Sequence, residues 1–509
     1  MLLFALVVAF VSLTRAELVE DLPWRRQNTK CNETSCLIAK FDSSITPHLF
    51  VSECRADKVK IITFVDNANV AELPAELFNQ VKYLAVVTLN ESRAERVAAN
   101  TLRNAKYLEE LYLSSNLINI LEADAFVGAS QLKLLDLSKN QLETLEGNIF
   151  APLKNLQELN LADNLLKSVD KSAFNGLERV TSIKLAGNAL KVLDTNTFYP
   201  CKSLAYLYLQ MNQLTKLRLR MHFNTMYWLN ADDNLIEDLF LDADEVRNRA
   251  AHVYITANRN QIQKFKITEK YNVRNLYLED NKFIDLQEIT PMVALHDLRL
   301  GNNNLSHITP TIFKNLRNLE ILFLQNTMLP AIQENFFQNQ KNLKTLHIGF
   351  NKLVVVDLRY LKQLTKLEQL HLDANELTDL NVSELKEALP SLKRIELRDN
   401  PWNCLKLKTI MGYLRMYNVK LVSEETSDEP NVEKIRCVDE GREVDALKRK
   451  IKMLEDKLEK VIEMYNMNFC ELKDSSCCSQ APNLSLFGDV GNETAIDMRF
   501  ERNFTCSKK

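Results

Sequence analysis

The chain has 509 residues, of which 46% are hydrophobic, and its formal net charge at pH 7 is −3. One compact core rarely holds so many residues, so the chain should contain several domains or an array of repeats. The near-neutral charge gives no electrostatic reason to expect a nucleic-acid or membrane-surface partner.

Residues 1–16 predict a secretory signal peptide. The run MLLFALVVAFVSL is apolar but too short to span a bilayer, and Thr14 and Ala16 place small residues at −3 and −1 of a cleavage after Ala16. The usual basic n-region is missing, and a buried N-terminal helix or strand is the alternative. No later stretch predicts a transmembrane helix, and the C-terminal FTCSKK lacks the tail of a lipid anchor. We therefore expect a secreted, extracellular protein, with its cysteines first read as disulfides.

Residues 17–56 are expected to form an N-terminal cap carrying Cys31, Cys36 and Cys54. Residues 57–400 then follow a period of about 24 residues, with the pattern LxxLxLxxNxL that begins, for example, at Leu108. This is the pattern of leucine-rich repeats. The asparagine position recurs about fifteen times, most weakly in the first two repeats and at Asn258. Its positions are Asn67, Ser92, Asn116, Asn140, Asn164, Asn188, Asn212, Asn234, Asn258, Asn281, Asn303, Thr327, Asn351, Asn375 and Asn400.

The residue types of the repeat have a physical explanation. Alternating leucines predict short strands, stacked in parallel on a concave face, and the asparagine amide should bond to backbone groups of neighbouring coils. A second apolar series should close the convex side at Phe78, Leu102, Phe126, Phe150, Phe174, Phe198, Phe313 and Phe337. The predicted fold class is therefore α/β: a leucine-rich repeat solenoid (horseshoe) with cysteine caps, followed by a short C-terminal coiled-coil helix.

Outward strand positions of the repeats carry a set of aromatic side chains on neighbouring strands. We predict a protein- or glycan-binding patch on the concave face, because exposed aromatic clusters are typical of binding hot spots. The alternative is that the aromatic side chains only stabilise adjacent strands by stacking. The residues are Tyr206, Tyr208, Trp228, Tyr254, Tyr277 and Phe323.

Three further repeat residues have chemistry of their own. His347 and His371 occupy equivalent concave positions, and a neighbouring pair of rings could bind a metal or respond to pH. The sequence gives no evident third ligand, so no metal and no cofactor is expected. Cys201 occupies a slot that other repeats fill with alanine or leucine, which predicts a buried free thiol.

Residues 401–439 are expected to form a C-terminal cap with Cys404 bonded to Cys437 across the helical stretch LKLKTIMGYLRMY. Residues 440–469 then predict a short coiled-coil helix of about three heptads, since apolar residues alternate spacings of three and four. The alternative is an amphipathic helix folded back on the solenoid. The seam residues are Val444, Leu447, Ile451, Leu454, Leu458, Val461 and Tyr465.

Residues 470–509 are expected to form a cysteine-rich, glycosylated tail. With Cys201 set aside, nine cysteines remain, and an odd number leaves at least one free or intermolecular. Candidate inter-chain cysteines are Cys470, Cys477, Cys478 and Cys506; a local knot of these four is the alternative. Glycosylation sequons begin at Asn32, Asn90, Asn304, Asn381, Asn483, Asn492 and Asn503.

The order of these features resembles that of the mosquito leucine-rich repeat immune proteins, the long secreted LRIM and APL type. The features are the signal peptide, N-terminal cysteines, 24-residue repeats, the Asn400–Cys404 cap NPWNC, the heptad helix and the double cysteine Cys477-Cys478. In that family the coil is usually longer, and the double cysteine usually precedes it. The resemblance implies a haemolymph protein that forms a disulfide-linked homo- or heterodimer with another leucine-rich repeat, coiled-coil chain. It also implies that the complex carries a complement-like thioester-containing protein to pathogens for opsonisation.

A different class of function stays open, namely an extracellular adhesion or matrix protein, or a decoy, without an immune role. An enzyme is not expected, because the chain has no phosphate-binding glycine loop, no HExxH and no GxSxG motif.

Overall fold

The computed structural model describes residues 29–39, 57–65, 68–243, 252–268, 272–283, 285–422, 431–432, 435–438 and 450–458. By its contacts the chain divides into two units, residues 1–438 and residues 439–509. The signal peptide, Cys54, Asn67 and the tail from residue 470 therefore lie outside the described residues, as does most of the heptad segment.

The first unit is built around one long sheet. Within the described residues this sheet has 18 strands, all parallel except for the first, which pairs antiparallel with the second. In spatial order the strands are Thr29–Cys31, Ser35–Ala39, Ile61–Val65, Val86–Thr88, Glu110–Tyr112, Leu134–Asp136, Glu158–Asn160, Ser182–Lys184, Tyr206–Tyr208, Trp228–Asn230, Val253–Thr256, Val273–Tyr277, Asp297–Arg299, Ile321–Phe323, Thr345–His347, Gln369–His371, Arg394–Glu396 and Lys420–Leu421.

The segments that return between these strands carry short elements. Parallel strand groups there are Arg96–Val97 with Ile120–Leu121, Thr144–Leu145 with Ser168–Val169, and Lys216–Met221 with Asp238–Ala243 and Lys264–Ile267. A small antiparallel pair joins Asn431–Val432 and Ile435–Arg436. The helices are Glu76–Gln80, Leu385–Ala388 and Cys404–Met416, with 3₁₀ turns at Gln287–Ile289, Pro310–Phe313 and Leu358–Leu361. None of the helices in the described ranges combines the length and hydropathy needed to cross a membrane.

Most of the sheet strands have three residues, and the central residue, usually leucine, points inward. Leu111, Leu135 and Leu159 lie on successive strands in register and are completely or almost completely buried. The positions on either side of this leucine point outward, as in any strand. A single repeat would leave its inward leucines exposed to water, and the next repeat in the stack covers them. This is the solenoid predicted from the leucine pattern.

An asparagine ladder joins successive coils, as Asn164 illustrates. Its amide nitrogen donates to Leu137 O at 2.9 Å in the preceding repeat and to Leu161 O at 3.2 Å in its own repeat. Its Oδ1 accepts the backbone N–H of Leu142 at 3.1 Å. Buried backbone groups that the strands leave without partners are thereby satisfied.

In the repeat that follows Asn234, the sequence-based register was wrong. The ladder residue is Asn260, not Asn258: Asn260 Nδ2 donates to Ala231 O at 3.0 Å, and its Oδ1 accepts from Ile236 N at 3.0 Å. The residue before each ladder asparagine has a positive φ, and here that residue is Arg259. Counting 24 residues from Asn234 reaches Asn258, but this repeat is two residues longer, and its strand pairing contains a register shift at Val253/Tyr254.

The convex side is closed by the predicted apolar series, and all eight of its members are buried. Phe174 stacks between Phe150 and Phe198, with ring centroids 6.2 and 5.3 Å apart. Cys201, three residues after Phe198, is a buried free thiol, as expected. Burial raises the pKa of its thiol to about 12.

Disulfides lie near both ends of the repeat array. Cys31 is bonded to Cys36, and Cys404 is bonded to Cys437, the pairing expected for the C-terminal cap. Helix Cys404–Met416 begins after Asn403, whose side chain accepts from Lys406 N at 3.0 Å and so satisfies an N-terminal amide. Next to it, Trp402 is fully buried, and its Nε1 donates to Leu397 O at 2.6 Å.

In the second unit, residues 450–458 are helical. Ile451, Leu454 and Leu458, three members of the predicted heptad seam, have exposed side chains on this segment. Their spacing places them on one side of the helix, as a coiled-coil seam requires. Pairing of this helix with a second chain stays a prediction.

Candidate functional site

The outward face of the long sheet carries a cluster of five aromatic side chains, which we call the aromatic cluster: Tyr206, Tyr208, Tyr227, Trp228 and Tyr254. Tyr206, Trp228 and Tyr254 are direct cross-strand neighbours on three successive strands. Tyr208 lies against Trp228, with ring centroids 5.9 Å apart. Tyr206, Tyr227 and Trp228 each keep more than a third of their surface exposed. The cluster therefore combines stacking between strands with a surface that another molecule can contact.

Tyr227 is the member that the sequence reasoning missed. Its ring lies 5.5 Å from that of Tyr206 and 5.0 Å from that of Tyr254, so it connects the two. Burial and a hydrogen bond with Tyr254 raise the pKa of Tyr227. The residue directly precedes Trp228, one position before the outward strand residue, and strand alternation therefore did not select it. Consecutive aromatic residues at a strand entry were the available signal.

Tyr277 and Phe323, the other two predicted patch residues, belong to a separate group farther along the sheet. The Arg299 guanidinium lies between them, 4.4 Å from the Tyr277 ring centroid and 4.8 Å from that of Phe323. Asp297 is buried and accepts hydrogen bonds from Tyr277 Oη at 2.8 Å and from Arg299 Nη2 at 3.1 Å. Arg299 thus connects the two rings, and sequence reasoning did not identify it as their link.

His347 extends this group along the sheet, since its ring centroid lies 5.4 Å from that of Phe323. The rings of His347 and His371 are neighbours, as their equivalent positions implied: their centroids are 4.6 Å apart and their planes differ by 7°. Burial, together with the nearby His371, lowers the pKa of His347 to about 4, and burial also lowers the pKa of His371. The sequence had shown no third ligand, but in the structure Asp373 brings a carboxylate into the same group.

Four of the seven sequon asparagines lie in the described part of the chain. Asn32, Asn304 and Asn381 are exposed, whereas Asn90 is half-buried on the sheet, where its Oδ1 accepts from Ser114 N at 2.9 Å. The three other sequons and the four candidate inter-chain cysteines lie outside the described residues. Glycosylation and inter-chain bonding therefore stay predictions.

Comparison with known proteins supports the fold assignment. The family model described as "Leucine rich repeat" matches residues 82–142, 106–166, 154–214, 293–353, 325–377 and 341–402. Among curated proteins, keratocan from Danio rerio is 31% identical over 105 residues, which is 20% of this chain and 29% of keratocan. The match thus spans less than a third of that relative's length.

Three solved structures cover most of the chain. The LRIM1/APL1C complex gives a TM-score of 0.62 at 22% identity and covers 88% of this chain and 79% of that one. The APL1 leucine-rich repeat domain gives 0.59 at 22% identity and covers 81% of this chain and 100% of that one. The Toll–Spatzle complex from Drosophila gives 0.54 at 18% identity, covering 80% and 71%. At these identities the likeness concerns the fold.

The repeats, the ladder and these matches define the fold of the protein. It is a leucine-rich repeat solenoid of about 15 turns, with a mostly parallel sheet and cysteine pairs near its ends. Its fold is that of the LRIM and APL proteins, as the sequence resemblance suggested. Proteins with this fold are typically binding proteins, and the matches indicate no enzyme family.

Proposed function

We propose that this chain is a secreted innate-immune protein that binds a protein partner through the aromatic cluster. By analogy with the LRIM and APL type, that partner is a complement-like thioester-containing protein, which the chain carries for pathogen opsonisation. The carrying complex is a disulfide-linked dimer with a second leucine-rich repeat chain. A secreted protein exposed to the haemolymph fits the predicted signal peptide and the disulfides near both ends of the array.

The observation that carries the binding role is the exposure of Tyr206, Tyr227 and Trp228 on a rigid sheet. Tyrosine and tryptophan offer large contact areas at a low entropic cost, and they dominate the binding energy of many protein interfaces. Cross-strand packing already restricts these rings, so binding costs little additional side-chain entropy.

Binding of a purified complement-like thioester-containing protein, measured by surface plasmon resonance, tests the proposal. The double variant Trp228→Ala/Tyr254→Ala should weaken binding by at least about tenfold, because each truncated hot-spot residue typically costs more than 1 kcal/mol. A matched control is Tyr83→Ala/Tyr107→Ala, which removes another stacked and exposed aromatic pair, with ring centroids 5.1 Å apart. The control should bind like the wild type. Equal binding by all three proteins would remove the proposed interface.

The dimer is tested separately by gel electrophoresis of the secreted protein with and without reductant. A band of twice the monomer mass that disappears on reduction supports the inter-chain bond, and changing Cys470, Cys477, Cys478 and Cys506 singly to serine should locate it. A monomer under both conditions, alone and with coil-bearing relatives co-expressed, would contradict it. Retained partner binding by such a monomer would leave the aromatic cluster as the functional element and would favour an adhesion or decoy role.

A further inference from the structure

His347, His371 and Asp373 each offer one ligand atom, and these three atoms all lie within 4.8 Å of one another on the sheet. His347 and His371 are cross-strand neighbours, and Asp373 follows His371 by two residues, so one repeat supplies two of the groups. We propose that these three residues form a binding site for a divalent transition metal, most suitably Zn²⁺. Two imidazoles and one carboxylate are a ligand set that zinc favours, with a fourth position left open.

Asp373 provides the independent observation that points to a cation. The residue is only 6% exposed, and its buried Oδ1 has no hydrogen-bond partner. A buried carboxylate oxygen without a partner is costly, and a bound metal ion is one of the few groups that offset this cost. Glu396 is the next acidic group, but it is already paired with Arg398 at 3.0 Å.

Gly349 makes room for the Asp373 carboxylate. A Cβ atom at position 349 would lie 2.5 Å from Asp373 Oδ1, so a side chain there would displace the carboxylate. The glycine has no positive φ, so the backbone itself does not require it. The missing side chain thus allows the carboxylate to lie against the neighbouring coil.

The two imidazole rings lie parallel to within 7°, with their centroids 4.6 Å apart. The hydrogen bond that His347 Nδ1 accepts from Gly349 N is long, at 3.3 Å, and can be given up. Zinc bonds of about 2.0–2.1 Å separate two ligand atoms by roughly 3.3 Å. Ligand atoms that now lie up to 4.8 Å apart must therefore approach one another by as much as about 1.5 Å. Both rings are half-buried, which leaves the fourth position facing the sheet surface.

The test uses the full chain, freed of metal with a chelator, and titrated with Co²⁺ as a spectroscopic probe. We expect one equivalent of Co²⁺ with the visible absorption of a four-coordinate site, displaced by one equivalent of Zn²⁺. Competition with a chromophoric chelator then gives the zinc affinity. Even residues that only support a ligand change metal affinity 10–100-fold, so Asp373→Asn and His371→Gln should each lower it by at least about tenfold.

The matched control is His296→Gln, which removes a histidine whose Nδ1 lies 2.7 Å from the backbone oxygen of Ala294. Its zinc affinity should equal that of the wild type. A second variant, Gly349→Ala, keeps all three ligands but places a methyl group where the Asp373 carboxylate lies, so that the carboxylate must move, and it should also weaken binding. If Asp373→Asn fails to fold, Gly349→Ala tests the role of the Asp373 carboxylate in metal binding. No cobalt spectrum from the wild type would overturn the site, as would zinc binding that Asp373→Asn, His371→Gln or Gly349→Ala leaves unchanged.

Discussion

Gln325 and Glu279 lie two repeats apart along the chain, yet Gln325 Nε2 donates a hydrogen bond of 2.6 Å to Glu279 Oε1. The bond passes over Gly301 in the intervening repeat, where a Cβ atom would collide with the Gln325 side-chain amide. Neighbouring repeats are coupled throughout the solenoid, but this contact couples a repeat to its second neighbour. The missing side chain of one residue thus permits the contact between two others.

Gly301→Ala should displace the Gln325 amide and break this bond. The side chain is flexible and can move aside, so the expected cost is the hydrogen bond alone, about 1 kcal/mol of unfolding free energy at this half-buried position. Urea unfolding followed by circular dichroism measures it. The control is Gly412→Ala in helix Cys404–Met416, where a Cβ meets nothing within 4 Å. That change should stabilise the protein by about 0.5–1 kcal/mol, because alanine is the better helix former. If Gly301→Ala and Gly412→Ala changed the unfolding free energy in the same direction, the role given to Gly301 would be contradicted.

Asn260→Ala should destabilise the protein more than Asn258→Ala. Loss of the Asn260 amide orphans the buried N–H of Ile236, at a cost of about 1–3 kcal/mol. The carbonyl of Ala231 keeps the hydrogen bond from Asn234 Nδ2 at 3.2 Å. Asn258 is only half-buried, and its Oδ1 accepts from Glu279 N at 2.8 Å, so its loss should cost about 1 kcal/mol. Chemical unfolding of the two variants side by side ranks them. The reverse order would restore the register first predicted from the sequence.

Phe174→Ala should lower the unfolding free energy by about 3–5 kcal/mol, since it leaves a cavity between Phe150 and Phe198. Phe350 provides a matched control, because 54% of its surface is exposed. Phe350→Ala should change stability by no more than about 0.5 kcal/mol. Calorimetric melting temperatures compare the two variants. Similar shifts for both would mean that the convex phenylalanine column does not hold the coils together.

The Cys201 thiol should resist alkylation in the native protein. Burial raises its pKa to about 12, so the thiol stays protonated, and therefore weakly nucleophilic, throughout the physiological pH range. Iodoacetamide at pH 8, followed by peptide mass spectrometry, should find Cys201 unmodified until a denaturant is added. Rapid native labelling at this residue would show that the repeat opens locally, since the closed structure leaves no path to the sulfur.

The sequence predicted the fold closely because the period of 24 residues is itself a structural constraint. Leu111, Leu135 and Leu159 are buried in register because each coil must cover the leucines of the one before. The same reliance on the period produced the error at Asn258. The local pattern Ile255-x-Ala257-x-x-Asn260-x-Ile262 was present in the sequence, but it departs from the spacing of 24.

The candidate sites were less accessible to sequence reasoning. The six aromatic residues lie on the sheet face as predicted, but their division into two groups depends on side-chain packing. Tyr227 and Arg299 lie between rings of the predicted patch, and the alternation of strand residues does not predict these contacts. Asp373 aligns with Gly349 in the repeat pattern, and nothing in a linear reading says that one fills the space the other leaves. Such relations exist only between adjacent coils.

The indole of Trp402 has a consequence for how the repeat array stops. Ile348 O and Leu372 O each accept a hydrogen bond from the asparagine of the next coil, Asn375 and Asn400 respectively. Leu397 O is the equivalent carbonyl of the last coil, and Trp402 Nε1 bonds to it instead. The Trp402 indole thus donates the hydrogen bond that the ladder asparagine of a further coil would donate. The indole thus shields the end of the stack and also satisfies this carbonyl, so a further coil could bring its asparagine to Leu397 O only if Trp402 were removed.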